Sequence, residues 1–196
     1  MTASRGRPRG FDRDAALETA LNEFWEHGYE ATSIATLTKA MGINPPSLYA
    51  AFGDKRKLFT EAVQLYARTH GSYGVQALAE PTAHQAVETM LRAIAVDYTE
   101  PGHPRGCLVI HGAVNTMSED VKAELRAFRE GTKNAIAEKI AVDVQAGLLP
   151  AGTDARGLAT FYAAVIQGMS TQAVDGANRE ELEQVADHAM KAWPSA

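Results

Sequence analysis

The stretch from Asn44 to Phe59 constrains the fold more than any other part of the sequence, because it contains two helix starts and one break. Asn44 is a good N-cap, and the proline that follows it fits the first turn of a helix. Gly53 breaks that helix, and Asp54 can cap the next one. A short amphipathic segment ending at Gly42 precedes this stretch. The pattern therefore predicts two helices joined by a tight turn, followed by another helix.

The remainder of the sequence also has helical periodicity. Leu17, Leu21 and Phe24 recur on one face of a first helix. After the glycine-containing stretch at 71–74, five more helices are predicted at 82–98, 105–116, 118–145, 154–175 and 178–193. No segment alternates apolar and polar residues over the length of a strand. The predicted fold class is therefore all-α, with about nine helices.

Composition narrows the class of protein. With 45% hydrophobic residues, the 196-residue chain can bury a substantial core. No run approaches the roughly 20 apolar residues that span a bilayer. Residues 1–10 are basic and lack the apolar stretch of a secretory signal. A single cysteine excludes an internal disulfide framework and suits a reducing compartment. These features predict a cytoplasmic protein.

The net charge of −5 does not exclude nucleic acid as a partner. Residues 1–60 carry eight basic and seven acidic side chains, a net charge of +1, and the rest of the chain carries −6. Within the first sixty residues the basic side chains are clustered at 5–9 and 55–57. Phosphates respond to such local clusters rather than to the charge of the whole chain.

The predicted third helix has the pattern of a helix that enters a DNA major groove. Leu48 and Phe52 are four residues apart and, with Ile43, would anchor this helix in the core. The residues left wholly or partly on its outer side are Pro46, Ser47, Tyr49 and Ala50. Because the apolar side chains hold the helix in place, the outer side is free to face DNA.

Residues that can hold phosphates flank this helix. Tyr49 can donate its hydroxyl, and Lys55 begins the next helix, where free backbone N–H groups also attract an anion. Thr32 and Ser33 open the preceding helix with two hydroxyls. The N-terminal arginines are predicted to reach a minor groove, and they are Arg5, Arg7 and Arg9.

The segment from Gly28 to Phe59 resembles the DNA-binding half of the TetR family of bacterial transcription regulators. The resemblance covers roughly residues 10–66. The matching positions are Gly28-Tyr29-Glu30-Ala31-Thr32-Ser33-Ile34, Leu37-Thr38, Met41-Gly42-Ile43, Ser47-Leu48-Tyr49, Phe52, Asp54-Lys55 and Leu58-Phe59. The remainder of the chain is similar to the family's second domain only in its helical character and its length.

The resemblance implies an all-α homodimer that binds double-stranded operator DNA. A flexible basic arm (1–9), a three-helix helix-turn-helix domain (10–53) and a linking helix (54–74) would precede a ligand-binding and dimerisation domain (75–196). The last two helices would form a four-helix bundle with a second copy. In such proteins an effector changes the separation of the two DNA-binding domains and usually releases the operator, which makes the chain a ligand-responsive repressor.

Carried over by position, the resemblance assigns phosphate contacts to Thr32, Ser33, Tyr49 and Lys55. It assigns base contacts to Asn44, Pro45, Pro46 and Ser47. Two residues depart from the common pattern. Pro46 stands where a small or polar residue is frequent, and Ala51 where histidine is common. Because Pro46 has neither an N–H nor a polar side-chain atom, it can contact a base only through apolar atoms.

The second half of the sequence predicts an effector pocket and a dimer interface. A pocket between the middle helices should be apolar with a few polar groups. The candidates for its lining are Tyr66, Met90, Tyr98, His111, Met117, Phe128, Phe161 and Gln167. Apolar positions on the last two helices recur with helical spacing, as a bundle interface requires.

Two alternatives remain open from the residues alone. His103, Cys107 and His111 have the spacing of a row of metal ligands on a helix, so a thiol- or metal-responsive regulator on the same scaffold is one alternative. Pro104 and Gly106 argue against a continuous helix there, and the favoured interpretation is a buried, unreactive thiol with no metal site. A helical enzyme is the other alternative, but no catalytic motif and no cofactor motif supports it.

Overall fold

A computed structural model describes residues 11–194 of the chain. Those residues contain ten helices and no strand, which confirms the predicted all-α fold class. The helices are α1 (Arg13–Ala31), α2 (Ile34–Met41), α3 (Pro45–Phe52), α4 (Lys55–Thr69), α5 (Ser72–Leu78), α6 (Ala83–Asp97), α7 (Leu108–His111), α8 (Glu119–Gln145), α9 (Ala155–Val174) and α10 (Arg179–Met190).

Two elements differ from the sequence prediction. Helix α5 was not predicted, because Gly71 at its N-cap and Gly74 within it disfavour a helix. The helix predicted for 105–116 shrinks to the single turn of α7. Gly106 has φ of 74°, outside the helical region, so the chain cannot enter a helix before Cys107.

The caps predicted around the turn are confirmed. The side chain of Asn44 accepts the backbone N–H of Ser47 at 2.9 Å, and that of Asp54 accepts the N–H of Lys57 at 2.8 Å. Gly42 ends α2 in the left-handed conformation, with φ of 64°. These contacts satisfy N–H groups that a helix start leaves free, so local sequence fixes where α3 and α4 begin.

Helices α1 to α4 form the N-terminal head around an aromatic core. Phe24 and Phe59 are fully buried, with ring centroids 5.0 Å apart and planes perpendicular. The head also contacts the second half of the chain. The N–H of Tyr29 donates to the carbonyl oxygen of Gly112 at 2.9 Å, and Arg56 pairs with Glu124 at 2.7 Å. Both contacts fix the orientation of the head.

Gly28 produces a kink within α1, with φ of 75° and ψ of 167°. We expect Gly28→Ala to lower the free energy of unfolding by about 1–3 kcal/mol, because this backbone region is nearly restricted to glycine. Chemical denaturation measures the change. Gly131→Ala in α8 is the matched control, since an added Cβ meets nothing within 4 Å there. The control should be more stable by about 0.5–1 kcal/mol. Equal effects of the two substitutions would contradict the strained conformation of Gly28.

The second half of the chain is a helical body built on α6, α8, α9 and α10. Its core includes the fully buried side chains of Leu91, Tyr98, Leu125 and Tyr162. Tyr162 on α9 donates its hydroxyl to the carbonyl oxygen of Ala189 at 3.1 Å, which joins α9 to α10. Within residues 11–194, none of the helices has the length and hydrophobicity needed to cross a membrane.

Candidate nucleic-acid interface and ligand cavity

Helix α3 presents an exposed outer side and is held by its inner side. Leu48 and Phe52 are buried, and Ile43 packs partly buried against the same core. The predicted anchoring of this helix is therefore confirmed. On the outer side Asn44, Pro45 and Pro46 are exposed and Ser47 is half-buried. Tyr49 has half of its surface exposed to solvent.

The chemistry of the exposed tip of α3 is mainly apolar. Asn44 uses Oδ1 to cap the helix, so its Nδ2 amide is the group left to contact another molecule. Pro45 and Pro46 offer only ring carbons and carbonyl oxygens. Such a tip matches the methyl group of thymine better than the polar edge of a base pair.

Thr32 and Ser33 occupy different environments. Thr32 is fully buried, and its hydroxyl donates to the carbonyl oxygen of Gly28 at 2.7 Å. The expectation that this hydroxyl is free for a phosphate is therefore corrected, because the kink in α1 uses it. Ser33 is exposed, and its Oγ accepts the N–H of Thr36 at 3.0 Å as the N-cap of α2.

The three cations at the start of α4, Lys55, Arg56 and Lys57, lie in different environments. Arg56 is held by its ion pair with Glu124, and Lys57 is exposed. The ammonium of Lys55 lies 4.3 Å from the ring centre of Tyr29. Burial lowers the pKa of Lys55, an effect that the nearby Glu30 carboxylate partly offsets. A phosphate placed at this N-terminus would favour the charged ammonium and would also meet free N–H groups.

The minor-groove contacts were predicted for the N-terminal arm. Arg5, Arg7 and Arg9 lie outside residues 11–194, the part of the chain that the structure describes.

A cavity of about 140 Å³ lies between α4, α5, α6, α8 and α9. Five of the eight residues predicted to line a pocket meet around it, namely Tyr66, Met90, Tyr98, Phe128 and Gln167. The walls are mainly apolar, with Ile94, Val109, Ile110 and Ile166 completing them. Three of these five predicted residues are aromatic, namely Tyr66, Tyr98 and Phe128.

Three predicted lining residues lie elsewhere. Met117 is 82% exposed beside the head, because it belongs to the segment between α7 and α8. Phe161 lies on the outer face of α9 and lines a surface groove with Val185. His111, at the end of the one-turn α7, lines a separate concavity with Trp25. Helical periodicity alone could not assign these side chains to one cavity.

Polar groups around the cavity form two hydrogen-bonded pairs. The hydroxyl of Tyr66 donates to Cys107 Sγ at 3.2 Å, and the hydroxyl of Tyr73 donates to that of Tyr98 at 3.4 Å. Burial raises the pKa of all three tyrosines and of the Cys107 thiol. These groups are therefore neutral at physiological pH and act as hydrogen-bonding groups in an apolar cavity.

Sequence reasoning missed four of the polar residues around the cavity: Tyr73, Cys107, Arg129 and Lys133. Tyr73 lies on α5, the helix that was not predicted. Arg129 donates to the carbonyl oxygen of Val109 at 2.6 Å, and Lys133 pairs with Glu130 at 2.6 Å. The helical spacing of both cations on α8 was available from sequence, but nothing in it indicated that they face a cavity.

The row of metal ligands considered for His103, Cys107 and His111 does not form. Cys107 is buried against Tyr66, whereas His103 and His111 line a concavity on the side of α1. Within residues 11–194, no group of potential metal ligands includes Cys107.

Comparison with known proteins shows the same two-part organisation. Residues 16–62 match the family of bacterial regulatory proteins called tetR, and residues 83–191 match the tetracyclin repressor-like C-terminal domain. The chain is 36% identical to the HTH-type transcriptional repressor ComR of Escherichia coli K12, covering 97% of this chain and 93% of ComR. It is 33% identical to the repressor BdcR of the same organism, covering 90% of this chain and 86% of BdcR.

A solved structure extends the similarity to a DNA complex. A cysteine mutant of the TetR family transcriptional regulator CifR, complexed with 26bp double-strand operator DNA, is 45% identical to this chain. The match has a TM-score of 0.92 and covers 96% of this chain and 100% of the CifR chain.

Proposed function

Because the chain belongs to the TetR family of bacterial regulatory proteins, we propose that it is a transcriptional repressor. It binds double-stranded operator DNA as a homodimer and releases the DNA when a small, largely apolar effector binds. The observation that most supports this proposal is the arrangement of α3, which is anchored by Leu48 and Phe52 and exposes its opposite side. The chain is a DNA-binding regulator and not an enzyme. It acts in the cytoplasm, where bacterial DNA lies.

The helix-turn-helix domain (10–53), which supplies α1 to α3 of the head, contacts DNA through α3 and its two flanks. Tyr49, Ser33 and Lys55 bind phosphates, and the tip from Asn44 to Ser47 faces the bases. The exposure of Tyr49 and the position of Lys55 at the start of α4 support these assignments. Thr32 stabilises the head through its buried hydroxyl. The arginines of the arm at 1–9 add contacts in the minor groove.

Dimerisation uses the outer faces of α9 and α10, within the domain at 75–196. These faces expose apolar side chains that a monomer would leave in water, notably Phe161 at 42% and Val185 at 37%. Together with Val165 and Ala189 they line one groove. Two copies related by a two-fold axis would bury this groove as a four-helix bundle.

The effector occupies the cavity beside the linking helix. Because the cavity measures about 140 Å³ and is mainly apolar, it suits a small molecule with one or two hydrogen-bonding groups. Tyr66 and Ala67 place α4 in the cavity wall, while Lys55 begins the same helix at the head. A ligand that displaces the end of α4 therefore shifts the head, and the spacing between the two heads of a dimer changes.

Substitution of the proposed phosphate contacts tests this assignment. We expect Lys55→Ala to weaken operator binding and to reduce the salt dependence of log K by about one unit, because one phosphate contact is lost. Tyr49→Phe removes one hydroxyl and should weaken binding without changing the salt slope. Affinity is measured by fluorescence anisotropy over a range of salt concentrations.

Lys191→Ala is the matched control, since Lys191 is exposed after α10, far along the chain from the head. It should keep both affinity and slope. If Lys55→Ala also keeps both, then Lys55 does not contact a phosphate.

A further inference from the structure

His70, Asp97 and His103 form a compact group at the junction of the head and the body. One potential ligand atom from each lies within 4.8 Å of the others. His70 follows the last residue of α4, Asp97 ends α6, and His103 lies in the segment between α6 and α7. The three residues come from separate elements, so an ion held by them would connect the linking helix to the body.

Hydrogen bonding prepares His103 as a ligand. Its Nδ1 lies 2.9 Å from the carbonyl oxygen of Pro104. A carbonyl oxygen can only accept, so Nδ1 is the donor, and in the neutral imidazole the lone pair is then on Nε2. A histidine whose second nitrogen donates to a carbonyl is the usual arrangement for a metal ligand, because the bond fixes tautomer and ring orientation.

Asp97 has an oxygen without a partner. Its Oδ1 lies 3.3 Å from His70 Nδ1, whereas Oδ2 is buried with no hydrogen bond among the described residues. A buried carboxylate oxygen is costly unless it is paired, and a cation would pair it.

Aromatic side chains hold the two imidazoles in place. The ring of Trp25 stacks on that of His103, with centroids 4.7 Å apart, and meets the edge of His70 at 4.8 Å. Tyr66 stacks on the other side of His70 at 5.8 Å. Such packing limits the ring rotations that would otherwise oppose metal binding.

We propose that His70, Asp97 and His103 bind one divalent transition-metal ion that connects α4 to the body. Bonds of about 2.0–2.2 Å place ligand atoms about 3–4 Å apart, so the group needs only small side-chain rotations to close around an ion. Two imidazoles and one carboxylate favour Zn²⁺, Fe²⁺, Co²⁺, Ni²⁺ or Cu²⁺ over Mg²⁺ and Ca²⁺. The proposal goes beyond repression by an apolar effector and is tested without DNA.

Calorimetric titration of the untagged, chelator-treated chain with Zn²⁺, and visible absorption with Co²⁺, test the site. We expect one ion per chain, a higher melting temperature with metal, and reversal of that increase by chelator. His103→Gln and Asp97→Asn should each weaken binding at least about tenfold. Circular dichroism establishes that each variant is folded. Because His103 lies between helices, we expect His103→Gln to disturb the fold less than Asp97→Asn does.

Two control variants should bind like the native chain. His84→Gln removes a half-exposed histidine at the start of α6, and Cys107→Ser removes the only thiol. In a Trp193→Phe background Trp25 is the only tryptophan, and Co²⁺ should quench its fluorescence because its ring stacks on His103. The proposal would be overturned by any of three results. These are a Kd for Zn²⁺ weaker than about 100 μM, binding retained by folded His103→Gln and Asp97→Asn, and binding lost only in Cys107→Ser.

Discussion

Replacing Phe59 with alanine is expected to lower the free energy of unfolding by about 3–5 kcal/mol. Phe59 is fully buried where α4 meets α1. Its ring packs edge-on against Phe24 at 5.0 Å and against Tyr29 at 5.0 Å. Truncation removes buried apolar surface and two aromatic contacts, and it leaves a cavity that a junction of two helices cannot close. Urea denaturation followed by circular dichroism measures the change.

Tyr49→Ala is the control for Phe59→Ala within the same head. Tyr49 is half exposed on the outer side of α3, so its truncation should change stability by less than about 1 kcal/mol. Operator affinity should nevertheless fall, because the proposed phosphate contact is lost. The two variants thus separate packing from contact. A change below about 1 kcal/mol in Phe59→Ala would contradict the tight junction between α1 and α4.

The double substitution of Phe161 and Val185 by glutamate is expected to convert the proposed dimer into a monomer. Both side chains expose apolar surface in the groove between α9 and α10. In a two-fold bundle each introduced carboxylate would lose its water. It would also lie near the same carboxylate of the second copy, since two-fold contacts are self-complementary. Sedimentation measures the mass. Operator affinity should fall by about 10²–10⁴, because the second head no longer binds as part of the same molecule.

Val75→Glu controls for the added charge. Val75 is 76% exposed on α5, and its substitution should leave both mass and affinity unchanged. If the double variant is folded, remains dimeric and binds operator normally, then the interface lies on another face of the body.

Sequence predicted best where short-range chemistry decides the structure. Gly42 fixes the end of α2, and Asn44 and Asp54 fix the starts of α3 and α4, through contacts with residues three or four positions away. The same local rules failed at α5, because packing against α6 stabilises a helix that Gly74 disfavours. Tertiary contacts outweigh propensity at that position.

One short-range contact was nevertheless missed. The hydroxyl of Thr32 was expected to face a phosphate, yet it donates to the carbonyl oxygen of Gly28, four residues earlier, at the kink in α1.

Contacts between distant residues were the least predictable. The group of His70, Asp97 and His103 combines three segments, and its members share no periodicity in the sequence. Five of the predicted residues line the cavity, but sequence could not distinguish Tyr66, which faces the cavity, from Phe161, which faces outward.

The most direct test of operator binding by α3 is selection of a random pool of duplex DNA by the purified protein, followed by sequencing. We expect enrichment of one two-fold symmetric sequence whose half-sites are spaced for successive major grooves on one side of the duplex. The folded Tyr49→Ala/Lys55→Ala double variant should fail to enrich it. A pool without an enriched sequence, or the same enrichment by the double variant, would contradict sequence-specific DNA binding through this helix and its flanks.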